Sequence, residues 1–468
     1  MAHDAPGRAR SWPDPFDLAA LAALALLYAA IRFAPFGPNP FGDGDFHAEA
    51  QLLAAALQGS VPWSDVALTK APGPVLFYLV PYVFIPSGSA EGVFWWAGSL
   101  WNLACVGTSI LLLRRAAEAL GGRRAGHVAV VLALGSPFAA YYCQAVAAEV
   151  PAFVGVCLAL YGFARWRGAE DDTGVRRFRH EAMVWIGLSL FVLSRPNGVL
   201  LLGLSGLVGL WLWFRGAAPD RPLALMSLRT TVVVVTMLAT FLGVASVLGG
   251  RGGELRQGGY LTYVVFQGRF QYRSEPWDWR YWANESRADS EDYQAWLRES
   301  GALITRARQS GVPLDDLQRR WILDDWLSNP GINARAAAIR SLTLHLYRVN
   351  SAEPEDFRVG ALPGWLVFMA FHLAVNAVSL MLLAGTGAFL VLRRGALARY
   401  WVLWGPWLAL LAFHALTYAE PRYLFPSQPG LVVMTALVLA PVLGGRSRGA
   451  GGSGALARAA ETGSAEPA

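Results

Sequence analysis

The stretch "LSRPNG", Leu193–Gly198, decides how this chain is threaded. It lies between two apolar runs, 182–194 and 197–214. Both are short for a bilayer span, which takes about 20 apolar residues. A proline removes a helical N–H and pushes the residue before it out of the helical region. Read as a turn, the stretch separates two spans. Read as a kink, it makes one long broken span, and everything after it inverts across the membrane.

Composition sets the frame. Of 468 residues, 54% are hydrophobic and 15% are charged, well under the roughly 25% of soluble domains. Mean hydropathy is +0.36. The chain reads as an all-α, polytopic membrane protein with external interfacial helices. A net charge of +6 does not point to nucleic acid, because the basic residues sit in short clusters between apolar runs. Candidate spans are 16–35, 92–113, 125–142, 149–165, 182–194, 197–214, 230–249, 363–391, 400–418 and 428–443, about ten in all. The first has no small-residue cleavage pattern after it and reads as a retained span. Pro74–Pro86 is uncharged but short and contains Pro81, so it reads as re-entrant or interfacial.

With "LSRPNG" as a turn, the arginine clusters at 8–10, 114–124, 165–179, 215–229, 393–399 and 446–448 share one side. The positive-inside rule makes that side, and both termini, cytoplasmic. With one broken span, Arg393, Arg394, Arg446 and Arg448 would lie outside. The turn is therefore the expected reading. The chain then divides into an N-terminal core (1–249) with a first external loop (36–91), an external segment (250–362), C-terminal spans (363–443) and a disordered tail (444–468). Cys105, Cys143 and Cys157 lie in or beside apolar runs, with no ligand spacing, and read as inert thiols. Trp321, Ile322, Leu323, Trp326 and Leu327 form an apolar stripe, suited to a helix on the membrane surface or one packed in an external domain. Asn329-Pro330 breaks that helical region.

The outer face gathers polar residues. "FGDGDFHAEAQLLAAALQGS", Phe41–Ser60, is an acidic loop running into a good helix former that ends at Gly59. Asp45 is a plausible N-cap. Lys70 precedes the aromatic "APGPVLFYL", Glu149 lies at the outer end of a span, and Arg195 occupies the break. "EPRY" puts Glu420, Arg422 and Tyr423 at the last outer turn. Each has a bland account as a cap or a snorkelling charge. Their gathering on one face points to chemistry. His47 is a lone histidine without partners at ligand spacing. No organic cofactor is implied, and a divalent metal is left open.

Taken in order, these segments resemble the polyprenyl-phosphate-sugar-dependent glycosyltransferases of the GT-C fold, the group of protein O-mannosyltransferases and lipid A aminoarabinose transferases. The carrying residues are Asp43-Gly44-Asp45, "KAPGPVLFY" from Lys70 to Tyr78, Arg195-Pro196, Asn329-Pro330 and "EPRY" from Glu420 to Tyr423. Three details depart from the pattern: a glycine splits the first acidic pair, an inserted glycine displaces the second proline of the lysine motif, and Pro421 separates Glu420 from Arg422.

The resemblance implies a lipid donor on the outer leaflet, an acceptor hydroxyl and attack in line with inversion at the anomeric carbon. A carboxylate must take the hydroxyl proton. Asp45 is the expected base, with Asp43 the alternative and Glu149 orienting the acceptor or sharing the role. Lys70 and Arg422 are the expected partners of the leaving phosphate, with Arg195, Glu420, Tyr423, Arg269 and Arg273 as further substrate contacts. The expected acceptor is an envelope glycan, lipid or protein, and the expected location a bacterial inner membrane with the site facing the periplasm. A transporter or flippase for a lipid-linked glycan is the alternative, as is a non-catalytic subunit of envelope assembly.

Overall fold

The computed structural model describes residues 14–32, 44–66, 71–136, 142–168, 174–217, 220–248, 257–274, 290–346, 364–417, 419 and 421–443. The described residues are mainly helical. The N-terminal helices are α1 (Pro15–Arg32), α2 (Gly44–Leu57), α3 (Pro72–Tyr82), α4 (Glu91–Gly135), α5 (Glu149–Arg167), α6 (Val175–Ser194), α7 (Leu200–Arg215) and α8 (Arg221–Leu248). The segment expected outside the membrane holds α9 (Gln257–Gly268), α10 (Glu291–Ser310), α11 (Leu314–Ser328) and α12 (Pro330–His345). The chain ends with α13 (Gly364–Leu392), α14 (Trp401–Leu416) and α15 (Gln428–Leu443). Among the described residues, five helical stretches are long and apolar enough to cross a membrane: Glu91–Gly135, Asn197–Arg215, Arg221–Phe241, Arg394–Leu416 and Tyr423–Leu443.

The span expected at 92–113 and the described start of that expected at 125–142 fall in one helical run, Glu91–Gly135, that doubles back on itself. Gly122 is non-helical (φ 81°, ψ 175°), a conformation glycine adopts without a Cβ clash. A Cβ on Gly126 would lie 3.0 Å from the carbonyl oxygen of Arg114. Twelve residues of straight helix would separate those positions by about 18 Å. The run is therefore a helical hairpin.

"LSRPNG" is a turn. α6 ends at Ser194, Arg195 is extended (φ −132°, ψ 92°), and Pro196–Val199 form one 3-10 turn before α7. Glu181 of α6 pairs with Arg229 of α8 at 3.6 Å, while Ser205 of α7 bonds Thr231 of α8 at 2.6 Å. A straight rod would put Glu181 and Ser205 about 36 Å apart. They meet α8 two residues apart instead, so the chain reverses at the break.

Glycines set how α5 meets α6. A Cβ on Gly155 would lie 2.5 Å from the carbonyl oxygen of Gly187, and one on Gly187 would lie 2.4 Å from that of Gly155. A Cβ on Gly162 would lie 2.7 Å from the carbonyl oxygen of His180. Small residues let two backbones approach this closely, which is how helices associate where lipid supplies no hydrophobic drive. The contacts also fix an antiparallel register. Moving six residues from Gly155 to the start of α5 brings Glu149 opposite 193–195, the end of α6.

The two ends of the bundle differ in chemistry. At the end expected to face the cytoplasm, Asp14 and Asp17 cap the start of α1 reciprocally, each accepting the other's backbone N–H at 3.0–3.1 Å. Arg114 of α4 donates to Asp14 at 2.7 and 2.8 Å and also to Asp17. That guanidinium holds the Asp14 carboxyl well below the usual carboxylate range. About 18 Å along α4, Asn102 donates to the carbonyl of Ala145 at 2.7 Å and anchors the turn before α5.

The segment between α8 and α13 has its own small core of Phe266, Phe270, Leu303 and Leu317. The apolar stripe of α11 divides across it. Trp321 packs on Phe266 and Phe270, with ring centroids 5.1 and 5.0 Å away, and Ile322 joins the same core. Leu323 and Leu327, one turn apart, stay exposed.

Candidate functional site

The antiparallel register of α5 and α6 builds the centre of the site. Glu149 is buried at the first position of α5, and Arg195 caps the end of α6. Their side chains form a salt bridge. The Arg195 guanidinium also lies over the ring of Tyr423, 5.1 Å from its centroid. Tyr423 stands in the 3-10 turn Pro421–Ser427 that leads into α15. Three residues expected on the outer face, from three distant parts of the chain, thus share one location.

Two members of this cluster lie outside the residues singled out from the sequence. His414, near the end of α14, is buried and stacks on Tyr423 with centroids 4.3 Å apart and planes 22° apart. Its Nε2 is 2.6 Å from Nδ2 of Asn197, two residues beyond Arg195. Arg195 is therefore held by a carboxylate and by an aromatic face, and the aromatic ring is supported by a histidine tied back to the same break. The break keeps spare hydrogen-bonding capacity: Arg195 Nε, Asn197 Oδ1 and Ser194 Oγ are buried without hydrogen-bond partners. A single histidine in the apolar run Trp401–Leu416 is a costly polar group in a membrane, and that was the available signal.

α3 connects this cluster to the first acidic loop. A Cβ on Gly73 would fall 2.4 Å from Ser194 Oγ and 2.7 Å from its backbone nitrogen, so only glycine fits at this crossing. Tyr78 is buried, and its hydroxyl accepts the N–H of Ala147 at 3.0 Å, holding the turn before Glu149. Tyr82, at the other end of α3, reaches His47 of α2 at 2.8 Å. Phe77, Tyr78 and Tyr82 are buried in the core.

His47 is locked. Nδ1 bonds the Tyr82 hydroxyl, Nε2 lies 2.9 Å from Gln51 Nε2, and the ring stacks on Trp95 at 3.7 Å and 10°. Burial pushes its pKa down to about 4, against a smaller opposing effect of Glu91. With both nitrogens engaged, it has no lone pair to offer a metal. Among the described residues, no group of three or more His, Cys, Asp or Glu side chains is arranged to hold a metal ion.

The remaining candidates are distributed as follows. Asp43, Lys70 and Glu420 lie outside the described residues. Asp45 stands in the first turn of α2 and Arg422 in the turn beside Tyr423, with only their backbones described. Arg269 is not in the cluster. It is fully buried at the end of α9, donates to Asp325 at 2.8 and 3.1 Å, and lies over Trp326 at 4.3 Å. Arg273 pairs with the same carboxylate at 2.6 Å. A cavity of about 260 Å³ between the end of α2 and residues 85–91 contains none of the predicted site residues.

No protein-family profile and no curated protein matches the chain. Among solved structures it is similar to the archaeal oligosaccharyltransferase AglB from Archaeoglobus fulgidus in complex with an inhibitory peptide and a dolichol-phosphate. That likeness has a TM-score of 0.47 at 14% identity and covers 98% of this chain and 53% of the other. It is also similar to ArnT from Cupriavidus metallidurans bound to undecaprenyl phosphate, with a TM-score of 0.40 at 15% identity over 92% of this chain and 77% of that one. The chain spans about half the length of the archaeal enzyme.

Proposed function

We propose that this chain is an inverting glycosyltransferase of the outer membrane face, moving a sugar from a polyprenyl phosphate to an acceptor hydroxyl. The observation that carries the reading is the Glu149–Arg195–Tyr423 cluster. It is a guanidinium only 14% exposed at the outer end of an apolar helix bundle, oriented on two sides and with its Nε–H buried and unpaired. A charge so placed is paired, as Arg195 is with Glu149, and such pairs mark substrate sites and pathways. Here it is suited to the phosphate that departs as the lipid leaving group. Lys70 and Arg422 are its proposed companions at that phosphate.

Glu149 is read as the anchor of Arg195. Its Oε1 is engaged by the guanidinium, which leaves proton abstraction to the first loop. Asp45 is the proposed base, at the start of α2, with Asp43 the alternative. α3 spans the two regions, and from Gly73 to Tyr82 it advances about 13 Å along its axis. The acceptor oxygen attacks the anomeric carbon, its proton passes to the aspartate, and the bond from carbon to the lipid phosphate breaks.

The proposed setting is a bacterial inner membrane crossed about ten times, with an envelope glycan, lipid or protein as acceptor. Mass spectrometry of envelope glycoconjugates from a strain lacking the gene tests it. Loss of one defined sugar is expected. An unchanged glycoconjugate profile overturns the reading.

A further inference from the structure

The turn that carries Arg422 and Tyr423 is held from outside the membrane bundle. Gln271, just beyond α9, is buried and pairs with the backbone of Ala419 in both directions. Its Nε2 donates to the Ala419 carbonyl at 2.9 Å, and its Oε1 accepts the Ala419 N–H at 2.8 Å. A side-chain amide pairing both ways with one residue reads backbone position, not sequence. It fixes the chain four residues before Tyr423.

Gln271 is itself fixed. Arg340 of α12 is fully buried and donates to the carbonyls of Gln271 at 3.0 Å, Gly268 at 2.8 Å and Ala415 at 2.7 Å. Gly268 and Ala415 lie at the C-terminal ends of α9 and α14, where carbonyls lack helical partners and the helix dipole favours a cation. One guanidinium therefore ties both helix ends to the residue that grips Ala419. The adjacent Tyr272 has φ 63°, the left-handed region, uncommon for a tyrosine and kept where the surroundings over-determine it.

We propose that Gln271 is a positioning residue of the donor site: by gripping Ala419 it sets the Pro421–Ser427 turn, so that Arg422 and Tyr423 meet the lipid phosphate together with Arg195. The inference rests on the donor reading above. It makes the segment between α8 and α13 a template for the phosphate site, separate from any role in binding the acceptor.

Undecaprenyl phosphate is the probe, and its Kd for the purified full-length chain in detergent is the readout. Gln271→Met keeps the side chain's length and removes both hydrogen bonds. It should weaken binding about tenfold, and Gln271→Glu, which keeps the accepted bond but sets a carboxylate oxygen against the Ala419 carbonyl, should weaken it at least as much. Because the effect acts through Arg422 and Tyr423, Gln271→Met should cost less than twofold where both are replaced by alanine, whereas general destabilisation would add to the loss from that double replacement. If Gln271→Met does not fold, Gln271→Glu in the same double-alanine background carries the same test. Wild-type affinity in both Gln271 variants, with binding lost in Arg422→Ala, overturns the positioning role and leaves the donor reading intact. Failure of the wild type to bind undecaprenyl phosphate overturns the donor reading itself.

Discussion

Arg195 meets Glu149 because Gly187 meets Gly155. The contact between the two glycine backbones sets the register of α6 on α5, and the salt bridge forms where that register ends.

Removing Arg195 takes the charged partner from the buried carboxylate of Glu149. Arg195→Leu is expected to destabilise the chain by about 3–5 kcal/mol, read as a marked fall in Tm. Glu149→Leu combined with Arg195→Leu should recover much of that loss, since a buried pair replaced by apolar groups is often neutral. Transfer activity should stay absent in the double variant. Activity returning with stability would show that the pair is structural only.

The glycine contact can be tested separately. In Gly187→Ala the new methyl would lie 2.4 Å from the Gly155 carbonyl and 2.6 Å from the Ala159 nitrogen, both backbone atoms that cannot swing aside. Forcing the helices apart should cost about 1–3 kcal/mol and shift Arg195 from Glu149. Gly203→Ala on the exposed face of α7 meets nothing within 4 Å and should be neutral or stabilising by up to about 1 kcal/mol. Thermal melts of the two variants should differ in sign or nearly so.

His47 gives the fold a defined acid sensitivity. Burial lowers its pKa from 6.5 to about 4, so the folded state holds it neutral while the unfolded chain takes up a proton below 6.5. Protons bound only by the unfolded state favour unfolding, so stability falls as the pH drops through this window, and the cost is complete below about 4. The Tm of wild type should decline more steeply from pH 7 to 5 than that of His47→Gln. Equal slopes would place the titrating group elsewhere.

Much of the fold was legible because apolar length, arginine clusters and proline breaks are local signals. "LSRPNG" announced a turn through Arg195-Pro196, and the charge distribution chose between a turn and a kink. The hairpin at Gly122 was foreshadowed by the arginines around "GGRR". The site was legible only in part. Glu149, Arg195 and Tyr423 stand out as polar groups at span ends. His414 and Asn197 meet 217 residues apart in sequence, and Gln271 meets Ala419 across 148, so only tertiary structure reveals either contact. Arg269 looks in sequence like a free external cation, yet its charge is directed at Asp325, a pairing 56 residues long that no local pattern encodes.

The central claim is that an aspartate of the first loop takes the acceptor's proton while a polyprenyl phosphate leaves. The direct measurement is release of undecaprenyl phosphate from undecaprenyl-phosphate sugars by the purified chain, with an envelope glycolipid extract as acceptor. Wild type should release it, either Asp43→Asn or Asp45→Asn should lower the rate by about 10²–10⁴-fold, and the double variant should show none. Transfer retained in both single variants and in the double variant would contradict the account.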